Sequence, residues 1–325
     1  MNCQEPLIYI VVLNWNGISD TLDCLRSIYS STHTNFQVLV IDNNSINDEL
    51  SIIKQQFPEV ISIQSQKNLG FTGGCNLGIQ YALHQSAQYI WLLNNDAIVF
   101  PNTLASLVAK MQKDPKIGMV TPVVESENYT YWGTYLDIKT QTRRNFSSIE
   151  DLNLAEEASP QNICLWGTAL LIKTEVIQKV GLLDDAFFAY FEDMDYSLRV
   201  TSAGYKNVLC TDALIRHGKN NQSQINRPDH YHFYMARNEY IFWFKYLTRS
   251  QKSAFRRKYI SRMIRKSAGY LEAKAISASD ACLDGLWSAL KNRSGERTTD
   301  QVMPVYLKNL ISSRPYFWSK LVSRR

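Results

Sequence analysis

Four apolar runs in the N-terminal third of the chain each give way to a cluster of Asn, Asp or Gly, and this repeat restricts the possible folds more than any other feature. Leu7–Leu13 ends in Asn14-Trp15-Asn16-Gly17, and Phe36–Ile41 ends in Asp42-Asn43-Asn44-Ser45. Val60–Gln64 leads to Asn68-Leu69-Gly70, and Tyr89–Leu93 ends in Asn94-Asn95-Asp96. Short apolar runs bounded by turn residues read as buried strands. Between them Ser19–Tyr29 with Ser19 as cap, Glu49–Phe57 stopped by Pro58, and Gly74–His84 read as helices, as does Asn102–Gln112 after the fourth run. Ile117–Val123 adds a fifth strand, and the alternation predicts an α/β layer fold with a mainly parallel sheet. Ligands of such sheets bind outside the carboxyl ends of the strands, so the four polar endings fall on one predicted functional edge.

Beyond this region the pattern changes. Glu125 to Gln161 is polar and aperiodic and reads as loops and short strands on the acceptor side of a site. Order returns with Ile163–Ile172, a helix Thr174–Val180 closed by Gly181, and a helix from about Glu192 to Ala203 with Gly204 at its C-terminal cap. After His230 the pattern is helical apart from Asn292–Thr299. The expected division is a domain over 1–228 and a helical region over 229–325.

At 325 residues, 45% hydrophobic and 20% charged, the chain can bury a substantial core. Its six cysteines (Cys3, Cys24, Cys75, Cys164, Cys210, Cys282) form no C-x-x-C pair, which argues against a zinc cluster or a disulfide framework and fits a reducing cytoplasm. The segment Met1–Leu13 lacks the basic start and length of a signal peptide, and no apolar run reaches spanning length. Net charge is +5 but uneven. No acidic residue occurs from Tyr240 to Leu271, where Lys245, Arg249, Lys252, Arg256, Arg257, Lys258, Arg262, Arg265 and Lys266 fall. That segment is either a solvated helix face or an attachment to an anionic membrane surface. Nucleic acid is not an expected partner, because no recognition motif accompanies the charge.

The residues at the edge suggest chemistry. Asp42 is placed either to accept hydrogen bonds from a base or ribose or to cap its turn. The glycines of Asn68-Leu-Gly-Phe-Thr-Gly-Gly-Cys-Asn-Leu-Gly78 stand before or at a helix start, where backbone amides can approach a diphosphate. Asp96 offers a carboxylate to a divalent cation or else caps the helix that follows. His217, after the apolar Ala213–Ile215 and Arg216, suits manganese if the fold returns it to this edge. The densest cluster is Asp184-Asp185-Ala-Phe-Phe-Ala-Tyr-Phe-Glu192-Asp193-Met-Asp195-Tyr-Ser-Leu-Arg199. Its carboxylates either complement a helix dipole or include a general base tuned by the aromatic wall. Asp195 and Arg199, four apart on a helix, can pair, which leaves Asp193 as the candidate base and Glu192 undecided.

Taken together, from about Tyr9 to Tyr246, these segments resemble the family-2 glycosyltransferases of GT-A fold, and most closely a rhamnosyltransferase-like branch. Arg237-Asn238 is similar to that branch as well. The resemblance implies a Rossmann-like, nucleotide-binding mixed sheet with flanking helices and a C-terminal helical region. It implies an inverting transfer of a sugar, rhamnose from dTDP-rhamnose as first choice and UDP-galactofuranose or another UDP-sugar next, to a hydroxyl of a polysaccharide or lipid-linked glycan. Asp193 would take the acceptor proton. Asn14, Asn16, Asp42, Asn44, Asn68, Gly74, Asn76 and Asn95 would meet the nucleotide. Asp96 and His217 would hold Mn2+ or Mg2+, which neutralises charge on the leaving diphosphate. Trp166, Gly167, Glu192, Asp195 and Arg199 would be acceptor-side or structural. The first aspartate of the family's D-x-D pair is Asn94 here, and an amide holds a cation less strongly than a carboxylate. The expected location is cytoplasmic, peripheral to the inner face of the membrane. The rival readings are a sugar-nucleotide pyrophosphorylase, which would want a Gly-rich basic first loop, and a non-catalytic nucleotide-sugar binder.

Overall fold

The computed structural model describes residues 5–127, 129–218 and 224–324. Cys3 lies outside them; the other five cysteines are free and buried. The chain forms two compact units. The first comprises residues 1–184 and 192–221, and the second 185–191 and 222–325. The segment 185–191 thus groups with the C-terminal helices and not with the residues on either side of it.

The first unit is built on β1 (Ile8–Asn14), α1 (Ile18–Tyr29), β2 (Phe36–Asp42), α2 (Glu49–Gln56), β3 (Ile61–Gln64), α3 (Gly70–His84), β4 (Tyr89–Asn94) and β5 (Ala97–Val99). It continues through α4 (Thr103–Lys113), β6 (Ile117–Ser126), β7 (Tyr129–Tyr131), β8 (Thr134–Asp137), β9 (Thr142–Asn145) and α5 (Ile149–Ala158). It closes with β10 (Ile163–Cys164), β11 (Ala169–Lys173), α6 (Thr174–Val180), α7 (Glu192–Ser202) and β12 (Lys206–His217). The main sheet among the described residues runs β3-β2-β1-β4-β11-β6-β12-β5, with β7 beside β6. The strands β1 to β4 are parallel, β11 is antiparallel to β4 and β6, and β12 is parallel to β6 but antiparallel to β5. The chain order reverses at β1, whose neighbours are β2 and β4, so the crevice beyond their carboxyl ends is the expected ligand position of an open sheet.

Burial follows the pleat. Ile8, Ile10 and Val12 of β1 join one core, with Leu25 and Ile28 of α1 and Trp91 and Leu93 of β4. The alternate residues Tyr9 and Val11 join the other, with Ile79 of α3 and Ile172 of β11. A period of two thus feeds both faces of a sheet covered by helices on each side.

Several local expectations change. Ser19 does not cap α1, which starts at Ile18 after Gly17 without a side-chain cap. The helix α3 starts four residues earlier than expected, at Gly70, whose φ of +71° suits glycine. The stretch 125–161 contains three strands and the helix α5, whose start is capped by Ser148 accepting from Asp151 N. The run Ile163–Ile172 splits into β10 and β11 around Leu165–Thr168.

The second unit contains α8 (Asp229–Tyr246), α9 (Arg249–Glu272), α10 (Ile276–Leu290), α11 (Val305–Ser313) and α12 (Pro315–Arg324). A capping box of Thr248 and Gln251 starts α9. Among the described residues no helix is long and apolar enough to cross a membrane.

Candidate active site

The polar strand endings form one hydrogen-bonded network. Asn14, buried at the end of β1, donates from Nδ2 to Asp42 Oδ1 at 2.8 Å and to Glu49 Oε2 at 2.7 Å. Its Oδ1 accepts from Thr21 Oγ1 at 2.6 Å, and Thr21 in turn accepts from Asn95 Nδ2 at 2.9 Å. Asp42 is 1% exposed and also accepts from the Oγ and N of Ser45, at 2.6 and 3.0 Å. Of the two roles open to Asp42, the structure supplies the partners of the turn-organising one. Asn16 donates from its backbone to Ser45 Oγ and accepts at Oδ1 from Ile46 N. Asn16 and Asn44 are exposed and left-handed, with φ of +52° and +66°, a conformation asparagine tolerates better than most residues. They present the free polar surface of this edge, whereas Asn14 and Asp42 lie beneath it. Glu49, which the sequence offered only as the first residue of a helix, is buried and belongs to the network, also accepting from Gly17 N.

The glycine-rich segment serves packing. A Cβ at Gly74 would overlap the Leu13 side chain, and one at Gly78 would overlap Val11, so these glycines let α3 lie close to β1. Asn76 uses its Nδ2 and Oδ1 on the backbone O and N of Leu183, both at 3.0 Å. Gly74 and Asn76 therefore sit inside the helix with structural partners and not in a phosphate-facing turn. Asn68 stays in the turn, accepting from Asn43 Nδ2 and Gly70 N.

Three residues, from β4, the turn after it and β12, meet at the end of β4. The β5–β12 pairing sets His217 opposite Ala97 and so returns it to this edge. His217 Nε2 stands 3.1 Å from Asp96 Oδ1 and 3.1 Å from Asn94 Nδ2. Asn94 Oδ1 is buried and has no hydrogen-bond partner among the described residues. Asp96 precedes β5 and not a helix, so it is not a helix cap. No group of three or more His, Cys, Asp or Glu side chains comes together as a metal cluster among the described residues. The groups that meet at this point are one carboxylate, one imidazole and one amide, whose nitrogen faces the imidazole.

The acidic cluster reaches the same edge through backbone. Asn94 N donates to Thr168 O at 2.9 Å, and Gly167 N donates to Asp193 Oδ2 at 3.1 Å. Asp193, second residue of α7, also accepts from Met194 N at 2.8 Å. Burial pushes its pKa above the usual carboxylate range, offset in part by these two amides and by the positive charge of Arg143. Burial pushes Glu192 up much further, and the neighbouring charges of Asp193 and Asp195 add to this. Glu192 is 5% exposed, and its Oε2 has no hydrogen-bond partner among the described residues. Asp195 is fully buried and pairs with Arg199 Nε at 2.9 Å; that guanidinium also donates to Val180 O and Leu182 O. These two residues tie α7 to the turn before it. Trp166 stacks on Tyr131 at 3.7 Å between ring centroids, and Tyr129 meets it edge-on. Arg143, Tyr131 and Tyr129 were not singled out from the sequence, which gave them no recognisable spacing.

The loop before α7 has its own support in the second unit. Phe188, Tyr190 and Phe191 all have positive φ, +64°, +69° and +76°, which is strained for bulky side chains. Asn238 Nδ2 donates to the carbonyls of Phe187, Ala189 and Tyr190, and Arg237 to those of Ala186, Phe187 and Gly295. Arg237 lies fully buried against Phe233 and Tyr234, and burial lowers its pKa to about 10.

The mixed sheet with its polar edge at the β1/β4 crevice defines an α/β protein of the GT-A kind. The chain belongs to glycosyl transferase family 2, whose model matches residues 9–181. It is 23% identical over 245 residues to a dTDP-rhamnosyl transferase, RfbF, of Shigella flexneri, covering 72% of this chain and 79% of that protein. It is 30% identical over 112 residues to an uncharacterised glycosyltransferase of Rickettsia bellii, covering 34% of this chain. The matched part spans only 16% of that relative's length. Among solved structures, GalNAc-T7 with UDP, GalNAc and Mn2+ shares the fold with a TM-score of 0.55 at 18% identity, covering 73% of this chain and 50% of that one. The mannosyltransferase PcManGT of Pyrobaculum calidifontis, solved with GDP-Man and Mn2+, does so with 0.53 at 14% identity, covering 99% and 84%.

Proposed function

We propose that this protein is an inverting glycosyltransferase that moves a sugar from a nucleotide donor to a hydroxyl of a glycan or lipid-linked glycan. The observation that carries the reading is the path from Asp193 through Gly167 and Thr168 to Asn94, which joins the acidic cluster to the edge bearing Asp96 and His217. A base and a cation-binding pair on one edge are what nucleotide-sugar transfer requires.

Asp193 accepts the proton of the acceptor hydroxyl. The acceptor oxygen forms its bond to the anomeric carbon from the face opposite the leaving group. The carbon–oxygen bond to the diphosphate breaks, and its electron pair departs with the nucleoside diphosphate. Gly167 N–H holds the Asp193 carboxylate in place, and Arg143 favours its ionised form. Asp96 and His217 fit a divalent cation that takes both oxygen and imidazole ligands, Mn2+ before Mg2+. Bound there, the cation would supply positive charge to the diphosphate. The exposed Asn16 and Asn44 meet the nucleotide from the loops after β1 and β2.

dTDP-rhamnose is the first donor to test, because the match to RfbF extends over most of both chains. The test is release of nucleoside diphosphate from dTDP-rhamnose, UDP-sugars and GDP-sugars, with and without Mn2+. Asp193→Asn is expected to keep donor binding and lose nearly all transfer. Transfer at the wild-type rate by this variant would remove Asp193 from the role, and a chain that binds nucleotide sugars without releasing diphosphate would be a binder only.

A further inference from the structure

The last two helices each carry three large apolar side chains outward. In α11 the charged side chain points in: Lys308 is 9% exposed, with Nζ 2.8 Å from Asp284 Oδ1. Its neighbours Val305, Tyr306 and Leu310 are 68%, 70% and 47% exposed. The helix α12 repeats the inversion. Ser319 is buried with its Oγ 2.8 Å from Ser261 Oγ of α9, while Tyr316, Phe317 and Leu321 face out. At 100° per residue the exposed apolar residues of each helix fall within an arc of about 140°, while Leu307 and Ile311 of α11 and Trp318 and Val322 of α12 are half-buried outside it. A helix that only closed a core would show the opposite arrangement.

Charge accompanies this face. No acidic residue follows Asp300, whereas Arg314 and Lys320 are exposed, Lys320 lying between Tyr316 and Phe317 on the same arc. The helix α9, along which α12 lies, has no acidic residue before Glu272 and exposes Arg256, Lys258 and Arg265. Glu272 accepts from the Tyr316 hydroxyl at 2.7 Å. Aromatic and aliphatic side chains interleaved with cations match the boundary of an anionic bilayer, where rings enter the headgroup layer and cations meet lipid phosphates.

We propose that the outward faces of α11 and α12 dock this protein on an anionic lipid surface. Tyr306, Leu310, Tyr316, Phe317 and Leu321 enter the headgroup layer, and Arg314 and Lys320 supply the charge selectivity. The basic face of α9, which sequence reading alone singled out, adds attraction without apolar insertion.

The test is cosedimentation of the full chain with phosphatidylcholine vesicles, with and without phosphatidylglycerol. Binding is expected to the phosphatidylglycerol vesicles and to weaken with salt. Phe317→Ser with Leu321→Ser is expected to lower it roughly tenfold or more, and Lys320→Glu at least about five-fold. Both variants change exposed positions, so the thermal midpoint should hold. Absence of binding to phosphatidylglycerol vesicles overturns the proposal, as does wild-type binding by the double variant. Equal binding to neutral vesicles overturns the charge selectivity. A dimer in light scattering that the double variant dissociates, with no vesicle binding, assigns the face to a second copy. None of these readouts depends on sugar transfer.

Discussion

The backbone N–H of Gly167 donates to the carboxylate of Asp193 across 3.1 Å, from the break between β10 and β11. The bond stabilises the ionised carboxylate, and burial opposes that ionisation with greater effect. Asp193 must be ionised to accept a proton. The transfer rate should therefore fall as pH drops through a value above the ordinary carboxylate range. A pH profile of kcat/KM whose acid limb sits at the ordinary value would contradict this.

Glu192 gives a separate signature in stability. Its folded pKa is raised, so its stabilising contribution is complete below the unfolded carboxylate pKa and is lost as pH rises through the raised value. Glutamine does not titrate. Glu192→Gln should match wild type least favourably at low pH and gain on it steadily towards neutral and alkaline pH, read by denaturant midpoints at several pH values. Parallel curves would mean that the Glu192 carboxyl has the same pKa in the folded and unfolded chain.

The proposed cation site can be tested at Asn94. Asn94→Asp would place a second carboxylate beside Asp96 and His217, so half-maximal donor binding should need several-fold less Mn2+ than in wild type. His217→Ala should need more. Calorimetric titration of Mn2+ with a nucleoside diphosphate present reads both, and an unchanged Mn2+ requirement in both variants would place the cation elsewhere.

Gly74 separates packing from phosphate recognition. Gly74→Ala should cost about 1–3 kcal/mol by overlap with Leu13. Reducing Leu13 to Ala in the same chain should recover part of that loss. If donor affinity in the double variant equals that of Leu13→Ala alone, the glycine serves the α3–β1 contact; a specific loss of donor affinity would return it to the phosphates.

Asn238 should matter out of proportion to its size. Asn238→Ala removes the donor to three loop carbonyls and should destabilise by roughly 2–3 kcal/mol. Hydrogen exchange should quicken first in residues 185–191, and uniform quickening across the chain would count against a local effect.

The sequence was most legible where one period persisted. The strands β1, β2 and β4 and their polar endings were readable because apolar runs and turn residues carry local signals. The segments that decide the site were less so. The three residues of β5 are too few to show a period, and only their pairing with β12 brings His217 to Asp96. The glycines of α3 look alike in sequence whether they expose amides or admit a neighbouring strand, and Leu13 decides between the two. The role of Arg237-Asn238 depends on carbonyls about fifty positions earlier, a distance at which composition and periodicity carry no information.

The aromatic loop 185–191 belongs with the helices that follow residue 221 and yet interrupts the sheet-bearing unit. The chain therefore passes from one unit to the other three times. A chain ending at residue 221 would strip the Phe187–Phe191 segment of the α8 residues Tyr234 and Phe242 that its rings meet. The helical unit is thus not a module that fusion or deletion at the C-terminus could exchange. Any shortened or chimeric version must carry its own replacement for α8, or it will fold with an uncovered aromatic segment directly before Glu192.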